Sequence, residues 1–316
     1  LLDGASPDAV FVATPTHLHR GIVEDALSAD VSVYCEAPLA HSADDARAIA
    51  AAARNASAKF QSGYLARVNP VYDLARSFFR SDAVRDVVSM QASRARKTPW
   101  RTPARTAEQE KLLNWRLDPE VTTGLSGEWG SHQFDVFHWY LGRYPTRVEG
   151  HGSIRLHDDG RTVHDTIATT LTFDRGETIT YDATLANSYE GMYEQLRGTN
   201  ATIKLSWTHG WMFKEADAPT QGWEVYANRQ QFHNDEGITL IAGATQLAEQ
   251  GKLQDGVGLP HTPLWYGIES FLKAVSGEGE VGCTAADGLR STIVGIKTHE
   301  AVTNNTAVDI DPTELA

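Results

Sequence analysis

Within the first 65 residues the chain alternates short apolar runs with helical segments, and that alternation restricts the fold more than any other feature. Asp8–Ala13 (DAVFVA) is rich in β-branched and aromatic residues and stops at Thr14-Pro15, the pattern of a buried parallel strand running into a loop. His19–Leu27 reads as a helix and Val31–Glu36 as the next strand. A second helix opens at Ser42, with Asp44 and Asp45 in its first turn and Arg54 near its end, charges that suit the helix dipole. Lys59–Tyr64 (KFQSGY) gives a third strand. Strands and helices alternating at this spacing predict right-handed βαβ units on a parallel sheet. Such sheets bind ligands beyond the carboxyl ends of their strands, where Thr14, Glu36 and Gly63 all stand.

After Arg67 the texture changes. Pro70–Phe79 is helical, Asp86–Arg94 reads as a strand, and 97–117 is irregular and contains Arg and Trp. Gly124–Gly142 combines glycines with a helical core. Period-two alternation then runs through 145–186 (RVEGHGSIRL, TIATTLTF, ETITYDATL), as expected of an antiparallel sheet with one covered face. The β texture continues over 198–226 with TIKLSW and GWEVYA, before helices at Thr262–Ser276 and Ala285–Thr303. The expected architecture is a Rossmann-type parallel α/β sheet over residues 1–66, followed by an α+β domain over 67–316 with a large, mostly antiparallel sheet.

A net charge of −13 argues against nucleic acid or an anionic membrane as partner, because phosphate binding needs basic surface. Cys35 and Cys283, the two cysteines, can build neither a disulfide framework nor a thiolate metal site. No run reaches the roughly 18 apolar residues of a membrane span, and the residues from Leu1 onward do not read as a signal peptide. A dinucleotide-binding sheet is expected to carry G-x-G-x-x-G between its first strand and helix, where backbone amides meet the pyrophosphate. The match here, Gly277–Gly282, follows a helix and holds Glu278 and Glu280, so it reads as a surface turn.

Several motifs in order, DAVFVATP, His19, VYCEAPL, QSGYLAR with Pro70, Gly124–Gly142 and the helix from Asp287, resemble the glucose-fructose oxidoreductase / inositol dehydrogenase (Gfo/Idh/MocA) family over nearly the whole chain. Set against that family, the chain starts late: the first strands and the glycine fingerprint have no counterpart before Leu1, so the sequence reads as a fragment. The resemblance implies NAD or NADP as cofactor, a sugar or polyol as substrate, a homo-oligomer, and Thr14, Pro15 and His19 lining the cofactor. It places Glu36 by the nicotinamide ribose and Ala37 where the family carries a proton-handling lysine. Alanine offers no charge and no hydrogen bond at that position. The expected compartment is cytoplasmic, with export left open.

The second constellation is GLSGEWGSHQFDVFHWYLG. Glu128, His132 and Asp135 share one face if the segment is α-helical, by the i, i+4, i+7 rule. A carboxylate on that face can orient an imidazole and set its tautomer. By the family's pattern His132 is the acid/base, Glu128 its orienter in place of an aspartate, and Asp135 a contact for a substrate hydroxyl. Other readings stand beside it: His132 as a satisfied core residue, or Glu128, His132, Asp135 and His138 as metal ligands, although no Cys or His pattern supports a metal and none is assigned. Trp115 and Arg116 are candidate substrate-pocket residues or a loop anchor. The expected function is an NAD(P)-dependent sugar or polyol oxidoreductase. The alternatives are a redox-assisted glycoside-cleaving enzyme and a ligand-binding member without turnover.

Overall fold

The computed structural model of the chain describes residues 6–243 and 258–315, together with Gly4 and Leu247; the outermost residues of the two expected domains, 1–3 and 316, lie outside them. Strands β1 (Ala9–Val12), β2 (Ser32–Cys35) and β3 (Phe60–Ser62) form a parallel sheet in that order, with Val12 opposite Cys35 and Cys35 opposite Ser62. The middle strand is buried along its whole length, as a continuous apolar run on a covered sheet requires. Helix α1 (His19–Ser28) follows a short 3-10 turn at Thr16–Leu18. Helix α2 (Ala43–Asn55) is capped by Ser42, whose hydroxyl accepts the Asp45 N–H at 3.2 Å, and it buries Ala46, Ile49 and Ala50 along one stripe.

Helix α3 (Pro70–Arg80) starts at Asn69, whose side chain accepts the Val71 N–H, with Pro70 in the first turn where no donor is missed. A ten-stranded sheet follows, built on β4 (Val87–Ala95), β5 (Arg147–Ser153), β6 (Thr166–Thr172), β7 (Thr178–Thr184), β8 (Met192–Gly198), β9 (Ala201–Ser206), β10 (His209–Lys214), β11 (Arg229–Phe232), β12 (Asp235–Thr239) and β13 (Val308–Asp309). Their order is β11-β12-β10-β9-β8-β4-β7-β6-β5-β13, and β4–β7 is the parallel pair in an otherwise antiparallel set. Alternate residues point inward, such as Ile167 and Leu171 on β6 and Ile179 and Tyr181 on β7. Helix α5 (Ser131–Leu141) covers that inner face, with Phe134 edge-on to Tyr181 at 5.1 Å.

Two segments differ from the expectation. Gly222–Tyr226 is a 3-10 helix rather than a strand. The Glu224 carboxylate takes the Gln221 N–H at 2.9 Å and the Lys214 ammonium at 2.6 Å, and this capping box turns the chain despite its β-rich residues. The expected irregular stretch 97–117 contains a short helix, α4 (Ala107–Leu113), capped by Thr106. Helices α6 (Pro263–Val275) and α7 (Ala285–Asn304) flank Gly277–Gly282, which is a turn. Helix α7 packs against α2, α5, β3 and β5, so it touches both sheets. Among the described residues no helix is long and apolar enough to cross a membrane, and no three His, Cys, Asp or Glu side chains are grouped to hold a metal ion.

Candidate active site

The three parallel strands end side by side. The Glu36 N–H bonds to the Val12 carbonyl at 2.9 Å and the Gly63 N–H to the Cys35 carbonyl at 2.8 Å, which sets Thr14, Glu36 and Gly63 along one shelf. Burial pushes the Glu36 carboxyl above its usual range, against a hydrogen bond from the Ala37 backbone. A Cβ on Gly63 would stand 2.8 Å from Glu36 Oε2, so only glycine leaves the space beside that carboxylate open. The shelf therefore leaves open space beside a buried carboxylate at the carboxyl edge of the parallel sheet, where ligands of such sheets bind. His19 is buried, and its two ring nitrogens meet the carbonyls of Thr14 at 2.9 Å and Leu39 at 3.1 Å. It ties the β1 loop to the β2 loop and has no ring nitrogen left for a ligand.

The Glu128–Asp135 segment is not one α-helix. Ser126–Gly130 forms a π-type turn that runs directly into α5. This wider turn carries an extra residue, so the residues before it lose phase with those after it. Glu128 is therefore out of α-helical phase with His132 and Asp135, which share α5. Glu128 is buried and accepts hydrogen bonds from Thr16 Oγ1 at 3.1 Å, Thr123 Oγ1 at 3.2 Å and Arg116 Nε at 3.2 Å. Its hydrogen bonds tie three loops together rather than orienting His132. Burial raises its carboxyl, and Arg116 and the two threonines oppose that shift.

Asp135 has moved furthest from its expected place. It is fully buried, accepts Arg67 Nε at 2.9 Å and Arg67 Nη2 at 2.9 Å, and takes a further bond from Ser291 Oγ at 2.7 Å. A substrate hydroxyl cannot reach a carboxylate enclosed in this way. The role expected for it is replaced by a structural one, in which it pins α5 to α7 and to the loop after β3.

His132 faces a cavity of about 370 Å³ shared with Ala37, Arg94, Arg96, Thr98, Trp100, Arg116, Glu128 and Trp129. Its ring lies 5.2 Å from that of Tyr64. Burial, with Arg94 adding to it and the Ala37 backbone opposing, pushes the imidazole pKa down to about 3. His132 is therefore neutral across ordinary pH, and a weaker base in this cavity than a free imidazole. The Ala37–Pro38 peptide is cis. Arg116 stacks 4.3 Å over Trp115, and Trp115 itself is buried beneath the loop, with His17 edge-on at 6.0 Å.

Glu128, His132, Arg116 and Ala37 are thus brought to one cavity, while Asp135 and His19 stay in the surrounding framework. Reading the sequence missed Thr16, Arg94, Arg96 and Trp100. For the last three a signal exists: RARKTPW places Arg94, Arg96, Thr98 and Trp100 at every second position, the period of an extended chain. The Arg96 and Thr98 N–H groups continue the ladder onto the carbonyls of Thr184 and Leu185 at 3.0 and 3.1 Å.

Comparison with known proteins identifies the family and the fold. The family described as "Oxidoreductase family, NAD-binding Rossmann fold" matches residues 1–64, and "Oxidoreductase family, C-terminal alpha/beta domain" matches residues 86–310. The chain is 22% identical to levoglucosan dehydrogenase of Pseudarthrobacter phenanthrenivorans, over 98% of this chain and 82% of that protein. It is 28% identical to inositol 2-dehydrogenase 1 of Saccharopolyspora erythraea, over 48% of this chain and 40% of that protein. The structure of levoglucosan dehydrogenase in complex with NADH and levoglucosan shares its fold, with a TM-score of 0.74 at 19% identity over 98% of this chain and 81% of that one. An NAD-binding Rossmann region followed by a C-terminal alpha/beta domain, together spanning most of the sequence, makes this chain a member of the Gfo/Idh/MocA family of oxidoreductases.

Proposed function

We propose that the protein is an NAD(P)-dependent dehydrogenase of a sugar, polyol or sugar derivative, with His132 as the group that takes the hydroxyl proton. The observation that carries this reading is the meeting of a neutral imidazole with the cofactor-side strand end at Ala37 in one cavity. In this reading residues 1–66 carry the cofactor and 67–316 shape the substrate pocket. Thr14, Pro15 and Glu36 hold the nicotinamide riboside, which when bound supplies a hydride acceptor. His19 acts by fixing the loop that presents Thr14.

His132 accepts the proton as the alcohol becomes a carbonyl, and returns it in the reverse direction. Glu128 is a positioning residue: it fixes Arg116 at the cavity wall, where Arg116 borders the substrate and the buried Trp115 backs it as a loop anchor. Trp100 and Trp129, edge to face at 5.4 Å, give the pocket the flat apolar surface that sugar rings favour. Ala37 supports a second reading, a member of the fold that binds its ligand without turnover, because the site has no lysine to move the proton.

The experiment is a screen of the chain with NAD⁺ and NADP⁺ against sugars and polyols, following cofactor reduction. His132→Ala is expected to lower the rate by about 10²–10⁴-fold. A rate unchanged in that variant removes His132 from the reaction, and binding without reduction across the screen selects the second reading.

A further inference from the structure

The cavity beside His132 carries more positive charge than proton transfer requires. Three guanidinium groups, Arg94, Arg96 and Arg116, line it against one carboxylate, Glu128. That carboxylate is already committed to Arg116, Thr16 and Thr123. Arg94 and Arg96 have no carboxylate at ion-pair distance among the described residues. The buried acid nearest in influence to Arg94 is Glu194, which donors other than Arg94 occupy: Tyr72 Oη lies 2.6 Å from it, and burial pushes its carboxyl up to about 7. Glu194 therefore neutralises little of the charge on Arg94. In a chain of net charge −13, two such guanidiniums converging on one cavity mark a place where an anion is missing.

The aromatic neighbours leave these cations ready to bind. Arg94 lies 4.6 Å over the ring of Trp129, and Arg116 stacks on Trp115. A guanidinium held by its flat face is stiffened while its N–H edge stays free for oxygen acceptors. Arg94 and Arg96 stand two residues apart on extended backbone, so they rise from the same side of the chain.

We infer that this pocket is built for a sugar carrying an anionic group, a carboxylate or a phosphate, whose oxygens accept hydrogen bonds from Arg94 and Arg96 while its reacting hydroxyl faces His132. This rests on the sugar-oxidoreductase reading above and names its substrate class. It also links recognition to chemistry. Arg94 is one of the groups that hold the His132 imidazole unprotonated, so an anion seated on Arg94 offsets that field and makes His132 a better base. The charged groups that line the cavity with His132 are Arg94 on β4, Arg96 just beyond it, and Arg116 and Glu128 on the loop and π turn.

The test uses the chain's own tryptophans, since Trp100 and Trp129 line the cavity. Fluorescence titrations with D-glucuronate, D-glucose 6-phosphate and neutral D-glucose are compared for the parent, Arg94→Ala, Arg94→Lys and Arg96→Ala. One anionic sugar is expected to bind at least about 10-fold tighter than glucose, and Arg94→Ala to erase that preference, as loss of a charge-assisted hydrogen bond predicts. The glucuronate and phosphate arms identify which anion the pocket takes. Arg96 is exposed, so Arg96→Ala keeps the test decisive if Arg94→Ala fails to fold. Equal binding of all three sugars overturns the inference, as does an anion preference that survives in both alanine variants. Weakening of NAD⁺ binding alone, with sugar preference intact, also overturns it by assigning the arginines to the cofactor. Arginine-dependent binding of an anionic sugar that NAD⁺ and NADP⁺ never oxidise defeats the dehydrogenase reading instead.

Discussion

Asp135→Asn separates a structural carboxylate from one that handles substrate. In the folded protein Asp135 is fully buried and bonds to two nitrogens of Arg67 and to Ser291. Asparagine keeps the shape, but it leaves the Arg67 guanidinium, itself almost enclosed, with Asp287 at 3.4 Å as its remaining anion. Breaking a buried pair by removing one partner costs about 3–5 kcal/mol. A chain of 316 residues unfolds with an entropy near roughly 0.66 kcal/mol/K, so that loss lowers the melting temperature by about 5–8 °C. Circular dichroism melts measure the shift, and steady-state rates at a temperature well below both transitions measure the chemistry. The expected outcome is a large drop in melting temperature with kcat within a few-fold of the parent. A melting temperature within about 1 °C of the parent, with kcat down by about 100-fold or more, would refute this reasoning and return Asp135 to the substrate.

Three further outcomes are expected. Ala37→Lys adds an ammonium to a cavity already lined by three guanidiniums, so kcat/KM is expected to rise by less than about 3-fold or to fall; a gain of about 100-fold would mean that the lysine was simply missing. Glu128→Gln frees Arg116 while the threonine bonds persist, so KM is expected to rise by about 10-fold with the pH profile of kcat unchanged, because Glu128 bonds to Arg116 and the threonines rather than to His132. A displaced pH profile would restore Glu128 as orienter of the imidazole. His299 on α7 is held to about 4, first by burial and then by His164, so between pH 4 and 6.5 the unfolded chain binds the extra proton and stability falls as the solution is acidified. His299→Gln is expected to flatten urea-measured stability over that window by about one proton, roughly 1 kcal/mol per pH unit, and an unchanged slope would contradict it.

The parallel strands, their carboxyl ends and the two long C-terminal helices were legible in the sequence, because each carries its own periodicity and punctuation. Motifs pointed to Glu36, Ala37 and His132, and the last two line one cavity. Asp135 was misread for a physical reason: Arg67 and Ser291, which enclose it, lie 68 and 156 residues away in the sequence, and no local pattern announces partners so distant. GWEVYA was misread because a side-chain capping box at Gln221 and Glu224 outweighed its β-rich composition. Arg94, Arg96 and Trp100 were visible as residues, but their placement beside His132 depends on β4 lying parallel to β7 in the second sheet. A pairing between strands so far apart in the sequence is not readable from either strand alone.

Helix α7 carries a consequence for how the protein comes to exist. Thr292 accepts the Leu39 N–H across a separation of 253 residues and meets the Tyr64 hydroxyl at 3.0 Å, while Ser291 bonds to Asp135. The loop that presents Glu36 and the helix that presents His132 are therefore clamped by a segment that is made long after either of them. A nascent chain can form its first sheet early, yet the site stays unassembled until α7 arrives to close it, and long-range closure of this kind is slow. The cavity beside His132 is thus assembled by contacts that no part of the chain before α7 can supply.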